Sequence, residues 1–161
     1  MLRFFGFLLL LACLGCDSSE ERPLTIGERV AGTWEIERVR DGNTIVTQQF
    51  EEAAGTAVFD FESVGCCAAT AAYRLAVTRP GGEVHEVEAR YRVNDNPDTA
   101  NFFSLSTGES AEGILFIYEF DRSYNELTIS AGMQGQHPAA LETLGLLYPF
   151  EEEFLFHLRR L

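Results

Sequence analysis

The chain of 161 residues has no lysine: its twelve basic residues are all arginine, they face 25 acidic ones, and the formal charge is −13. Such a balance offers no basic face to displace counterions from phosphates, which excludes nucleic acid as a partner class. Histidine is scarce as well. His85, His137 and His157 lie far apart and none has a partner at ligand spacing, so no metal triad is legible. There is no Gly-x-Ser-x-Gly elbow and no recognisably paired nucleophile and base, so the chain reads as a protein that is not an enzyme and needs no cofactor. Of the four cysteines, two fall within the first sixteen residues, and the adjacent pair Cys66-Cys67 cannot build a disulfide framework. That pair could close a vicinal or intermolecular disulfide, or remain two small buried thiols; it supplies too few ligands for a metal.

What is present begins with a charge and a short apolar run. Arg3 is followed by Phe4-Phe5-Gly6-Phe7-Leu8-Leu9-Leu10-Leu11-Ala12, then Cys13-Leu14-Gly15-Cys16. One positive charge, an apolar core too short to span a bilayer and small residues before a cut site predict a secretory signal over residues 1–15. The composition changes abruptly at Asp17-Ser18-Ser19-Glu20-Glu21-Arg22-Pro23, which is too poor in apolar groups to join a core. Residues 16–29 are read as an acidic tether, and 30–161 as one domain, long enough to bury a sizeable core.

Leu14-Gly15-Cys16 resembles the lipobox of bacterial lipoproteins, in which a small residue precedes a cysteine that is lipidated on sulfur and becomes the mature N-terminus. The resemblance implies lipidation at Cys16, with Cys13 as the alternative, and a stable anchor, since three acyl chains exceed the two signals that anchoring requires. It places the protein at the bacterial cell envelope, on the outer membrane, with the membrane as its partner through the N-terminal lipid. The acidic tether also resembles a surface-export signal, but a solvated spacer kept extended by its charge is the preferred reading of the same residues.

The rest of the chain alternates with period two. Ala57, Phe59 and Phe61 alternate with Val58, Asp60 and Glu62; Tyr73, Leu75 and Val77 alternate with Arg74, Ala76 and Thr78. After Pro80-Gly81-Gly82 the pattern resumes as Val87, Ala89, Tyr91 and Val93 against Glu86, Glu88, Arg90 and Arg92, which predicts a hairpin with Arg74 facing Glu86 or Glu88. A second hairpin is predicted from Ile114, Phe116, Tyr118 and Phe120 through the turn at 121–125 to Leu127 and Ile129. Thr33–Arg40 and Thr44–Phe50 are predicted strands flanking Asp41-Gly42-Asn43, and strands also fit Thr99–Ser106 and Phe154–Arg160. One helical period, at Leu141, Leu144 and Leu147 or Tyr148, runs from Pro138 to Pro149. The expected fold is all-β: an antiparallel barrel of eight to nine strands with one short helix before the last strand.

Gly32-Thr33-Trp34 opens the first of these strands, and with the meander and the late helix it resembles the lipocalin-like families. The resemblance implies that Trp34, the one tryptophan of the chain, plugs one end of the barrel, that the other end opens onto an apolar cavity, and that an arginine of the eighth strand packs on the tryptophan. Counted along nine strands, Arg122 falls one turn early and Arg159 or Arg160 one strand late. The lining would come from Phe59, Phe61, Tyr73 and Leu75 in the first half and from Tyr91, Phe116, Tyr118 and Phe120 in the second, which suits a small apolar or aromatic ligand. Alternatively the same residues fill the interior, and the domain serves as a structural or adaptor lipoprotein with no ligand. His157, alternating with Phe156 and Leu158, is expected to face solvent, and Glu151-Glu152-Glu153 to be a solvated charge run.

Overall fold

Alternation of apolar and polar side chains closes this chain into a ring. The computed structural model describes residues 24–64, 70–93, 102–106, 113–131 and 141–161. Nine antiparallel strands follow one another: β1 (Gly32–Asp41), β2 (Thr44–Ile45), β3 (Thr56–Phe61), β4 (Ala71–Thr78), β5 (Val84–Val93), β6 (Phe102–Ser106), β7 (Gly113–Phe120), β8 (Glu126–Ala131) and β9 (Phe154–Arg160). Each strand from β3 to β9 pairs with the next, β3 pairs with β1, and β9 returns to β1, so eight strands form a closed barrel. Closure leaves no long sheet edge exposed. β2 stands outside the ring, paired through two residues to the end of β1.

The inward set is the one that the alternation predicts. Ala57, Phe59 and Phe61 on β3, Tyr73, Leu75 and Val77 on β4, and Phe116 and Tyr118 on β7 are all buried in one apolar cluster with Leu127, Ile129, Phe156 and Leu158. On β1 the parity changes midway. Trp34 and Ile36 face inward, the β1–β9 register shifts between Ile36 and Arg38, and Val39 then takes the inward position while Glu37 and Arg38 both reach solvent. A bulge of this kind bends the strand and lets it follow the barrel wall. The β4–β5 hairpin turns at 79–83, and its register sets Arg74 opposite Glu88 on the outer face.

Two helices depart from the sequence reading. The segment read as a strand over Thr44–Phe50 leaves the sheet after Ile45 and forms α2 (Thr47–Ala53), because Val46, Phe50 and Ala54 recur every four residues and bury one helical face. Four of the residues read as tether belong to α1 (Ile26–Val30), whose N-cap Thr25 accepts from the Glu28 amide while the Glu28 carboxylate accepts from Thr25 N, a reciprocal capping box. A helical turn at 141–143 lies before β9, where the leucine period placed a helix. Cys13, Cys16, Cys66 and Cys67, like Pro138, lie outside the described residues.

Since β2 is not part of the ring, β9 is the eighth barrel strand. Arg160 is therefore on the eighth strand and not one strand late, and its guanidinium carbon lies 4.4 Å from the centroid of the Trp34 ring.

Candidate functional site

The two ends of the barrel are built differently, and the interior between them holds all eight side chains singled out as lining. At the first end, Trp34 is fully buried and its indole Nε1 donates to the Val30 carbonyl at 2.7 Å, which fixes α1 across the opening. Arg160 stacks on the same indole and donates from Nη2 to the Arg29 carbonyl. Arg29 in turn lies 4.3 Å over the Tyr124 ring and donates to its hydroxyl at 2.8 Å. A cation over an aromatic face with little water around it contributes about 2 kcal/mol, so this end is held by polar as well as apolar contacts.

The second end is where the resemblance leads one to expect an open mouth. Instead, Phe50 of α2 meets Tyr148, Phe150 and Phe156 at centroid distances of 6.0, 6.3 and 5.6 Å. Leu141, Leu144 and Leu146 are buried beside them. The chain from 146 to 153 is tied down by Asp41, whose carboxylate accepts from the Glu151 and Glu152 amides at 2.9 and 2.7 Å, and by the Gly42 amide donating to the Glu153 carbonyl. Among the described residues, α2 and the 141–150 segment thus lay apolar side chains over this end, each bringing an apolar face that only the barrel can bury.

Between these ends the lining residues fall into groups. Phe61 stacks on Phe59 at 5.6 Å and meets Tyr91, two strands away, edge-on at 5.0 Å. Tyr118 packs edge-on to Phe120 at 5.7 Å, and Phe120 crosses the barrel to Trp34 at 6.2 Å. Phe116 meets Phe154 at 6.0 Å, next to the cover. Leu75 is fully buried. Two of the buried phenols are satisfied from the backbone: Tyr73 donates to the Ser106 carbonyl at 2.8 Å and Tyr91 to the Glu62 carbonyl at 2.5 Å. Burial raises the Tyr73 phenol, and burial with the Glu62 carboxylate pushes Tyr91 up to about 12, so both stay neutral donors in ordinary conditions.

Chemistry outside the interior is sparse. A cleft of roughly 360 Å³ opens between the β1–β2 turn and the 148–152 segment, lined by Asp41, Val46, Tyr148 and Glu152 among others, but its Asp41 carboxylate is committed to backbone amides. Among the described residues no three His, Cys, Asp or Glu side chains converge as metal ligands. His157 is half-buried, its Nδ1 is 3.0 Å from Thr128 Oγ1, and burial, with Arg38 and Arg40 nearby, lowers its pKa. It therefore sits in the wall between Thr128 and solvent, more covered than the strand pattern alone suggests. Glu151, Glu152 and Glu153 are exposed, as read from the sequence. Sequence reasoning missed Phe50, Phe150 and Arg160; the four-residue recurrence of Val46, Phe50 and Ala54 was the signal for the first. No helix among the described residues is long and apolar enough to cross a membrane.

No family model, no curated protein and no solved structure matches the chain.

Proposed function

We propose that this is a lipid-anchored, lipocalin-like envelope lipoprotein, without catalytic activity, whose barrel takes a small apolar ligand beneath the cover formed by α2 and residues 146–150. The observation that carries the reading is the asymmetry of the ends. One is clamped by Trp34, Arg160 and α1; the other is covered chiefly by aromatic and leucine side chains on short segments, the kind of element that opens at low cost. An arginine stacked on the tryptophan from the eighth strand further supports the lipocalin-like comparison. The Leu14-Gly15-Cys16 sequence supports acylation at Cys16.

A second reading rests on a different observation. Phe61 with Tyr91 and Trp34 with Phe120 make contacts across strands that are not neighbours, as expected of an interior filled by its own side chains, which would make the domain a structural or adaptor lipoprotein. Purification from membranes followed by mass spectrometry of extracted small molecules separates the two. A stoichiometric apolar compound, and a change in Trp34 emission when a lipid or haem-like compound is added, support the carrier. No extracted compound and no response across such a panel would leave the filled barrel.

A further inference from the structure

The outer surface of the barrel has two unlike walls. On β3 to β5 the outward positions include Asp60, Arg74, Glu86 and Glu88, all exposed. On β6 to β9 the register brings together Ser104, Leu115, Ile117, Thr128, Ser130 and Leu155, with half-buried His157 opposite Thr128, an outward set that carries no Asp, Glu or Arg. Leu115 is 45% and Ile117 37% exposed. Charge returns at its rim near Trp34, with Glu119, Glu126 and Arg159, and at its flanks, where Arg92 lies opposite Ser104 and Arg40 opposite Leu155. For a chain of formal charge −13, this wall loses less hydration on approaching a low-dielectric surface than the β3–β5 wall does, because charged groups are the costly ones to desolvate.

The chain also enters the barrel beside this wall. Arg29 of α1 is bonded to and stacked on Tyr124, which belongs to the β7–β8 turn. From Leu24 back to Cys16 the chain can reach at most about 29 Å. The eight-residue β7 is itself roughly 27 Å long, so an anchor at Cys16 keeps every part of the wall within reach of the bilayer.

We infer that the barrel lies with its β6–β9 wall, around Leu115 and Ile117, against the lipid surface that holds its own N-terminal acyl chains. The inference rests on the lipoprotein reading above. A zwitterionic surface is the fitting occupant, since an anionic one repels so acidic a domain, while Leu115 and Ile117 gain by leaving water for the headgroup region.

The test uses the full chain purified from membranes and reconstituted in phosphatidylcholine vesicles brominated along the acyl chains. Tryptophan is introduced singly at Leu115→Trp and Ile117→Trp on this wall and at Val58→Trp on the opposite one, with buried Trp34 as a constant background. Quenching at 115 and 117 should exceed that at 58 by about twofold or more; Ser130→Trp replaces either wall variant that fails to fold. Equal quenching on both walls in a chain whose mass shows acylation overturns this inference alone. Shielding of position 115 that appears without vesicles and grows with protein concentration assigns the wall to a second copy and also overturns it. A chain whose mass shows no acyl group removes the lipoprotein reading and this inference with it.

Discussion

The Trp34 end and the Phe50 end of the barrel both bury aromatic rings but fasten them by different means. At the first, an indole N–H, a guanidinium and two backbone carbonyls of α1 lock the plug in one arrangement. At the second, rings meet rings, and directional bonds run from Asp41 and Gly42 to the chain just before β9 and between Val39 and the start of α2 at Val46 and Thr47. Polar bonds specify a geometry, whereas apolar contacts tolerate rearrangement, so the contrast predicts that the Phe50 end yields before the Trp34 end does.

The sharpest way to break this contrast is to remove its two centres. Trp34→Ala should cost about 3–5 kcal/mol in chemical denaturation, the range for deleting a buried aromatic. Phe50→Ala should cost less, below about 3 kcal/mol, because α2 can peel from the mouth without opening the ring. Equal losses would mean that the two ends are equally rigid.

A smaller effect is expected where α2 hands over to β3. Gly55 has φ +95, and a Cβ there would lie 1.9 Å from the Thr78 carbonyl oxygen, a backbone atom that cannot step aside. Gly55→Ala should therefore destabilise by at least about 1–3 kcal/mol. Gly82, with φ +83 and open space around it, is the control: Gly82→Ala carries the backbone strain without the clash and should cost less.

The polar fastenings can be compared directly. Arg160→Met keeps the stem over the indole but removes the charge and the bond to Arg29, and should cost about 2 kcal/mol. Asp41→Asn should cost about 1 kcal/mol. Hydrogen exchange locates each loss: the first should speed exchange at the Trp34 indole, and the second at the Glu151 and Glu152 amides. Loss of indole protection in the Asp41 variant would show that the ends are coupled.

The smallest effect is a pH dependence near the Trp34 end. The Asp121 carboxylate accepts from Ser123 and from the Asn125 and Glu126 amides, bonds that hold it down at about 2. A carboxylate depressed in the folded state stabilises at pH values above its unfolded pKa, near 4, and that contribution fades as pH falls from about 4 towards about 2. Asp121→Asn should flatten the stability profile in that window and lower stability by a pH-independent amount above about pH 5.

The barrel was legible because a wall with one wet and one apolar face leaves a period-two record, clearest in Ala57-Phe59-Phe61 and Tyr73-Leu75-Val77. The same record hid α2. Asp41-Gly42-Asn43 does turn the chain, with Gly42 at φ 54, and an alternating Thr44 to Phe50 looks like the returning strand, but two residues of pairing suffice before Val46 starts a helical face. That face has only three apolar positions, fewer than the eye needs to prefer a helix. In α1 the Thr25-x-x-Glu28 signature was readable, yet it lies within a stretch whose acidic composition argues for a tether. The Arg160 stack was missed for a topological reason: a strand that leaves the ring cannot be told from one that stays by its own residues. The cover of the Phe50 end is likewise tertiary, because neither Phe50 nor Phe150 carries a mark of which opening it will close.

The seam between β1 and β9 joins positions as distant as Glu35 and Arg159, 124 residues apart, and the last amide, of Leu161, donates to the Thr33 carbonyl at 3.0 Å. The cylinder thus has no finished form until its final seven-residue strand is available. A chain synthesised only as far as β8 has nothing to close upon, so collapse into the native ring before β9 emerges is precluded by connectivity, and loss of β9 would undo architecture rooted at β1.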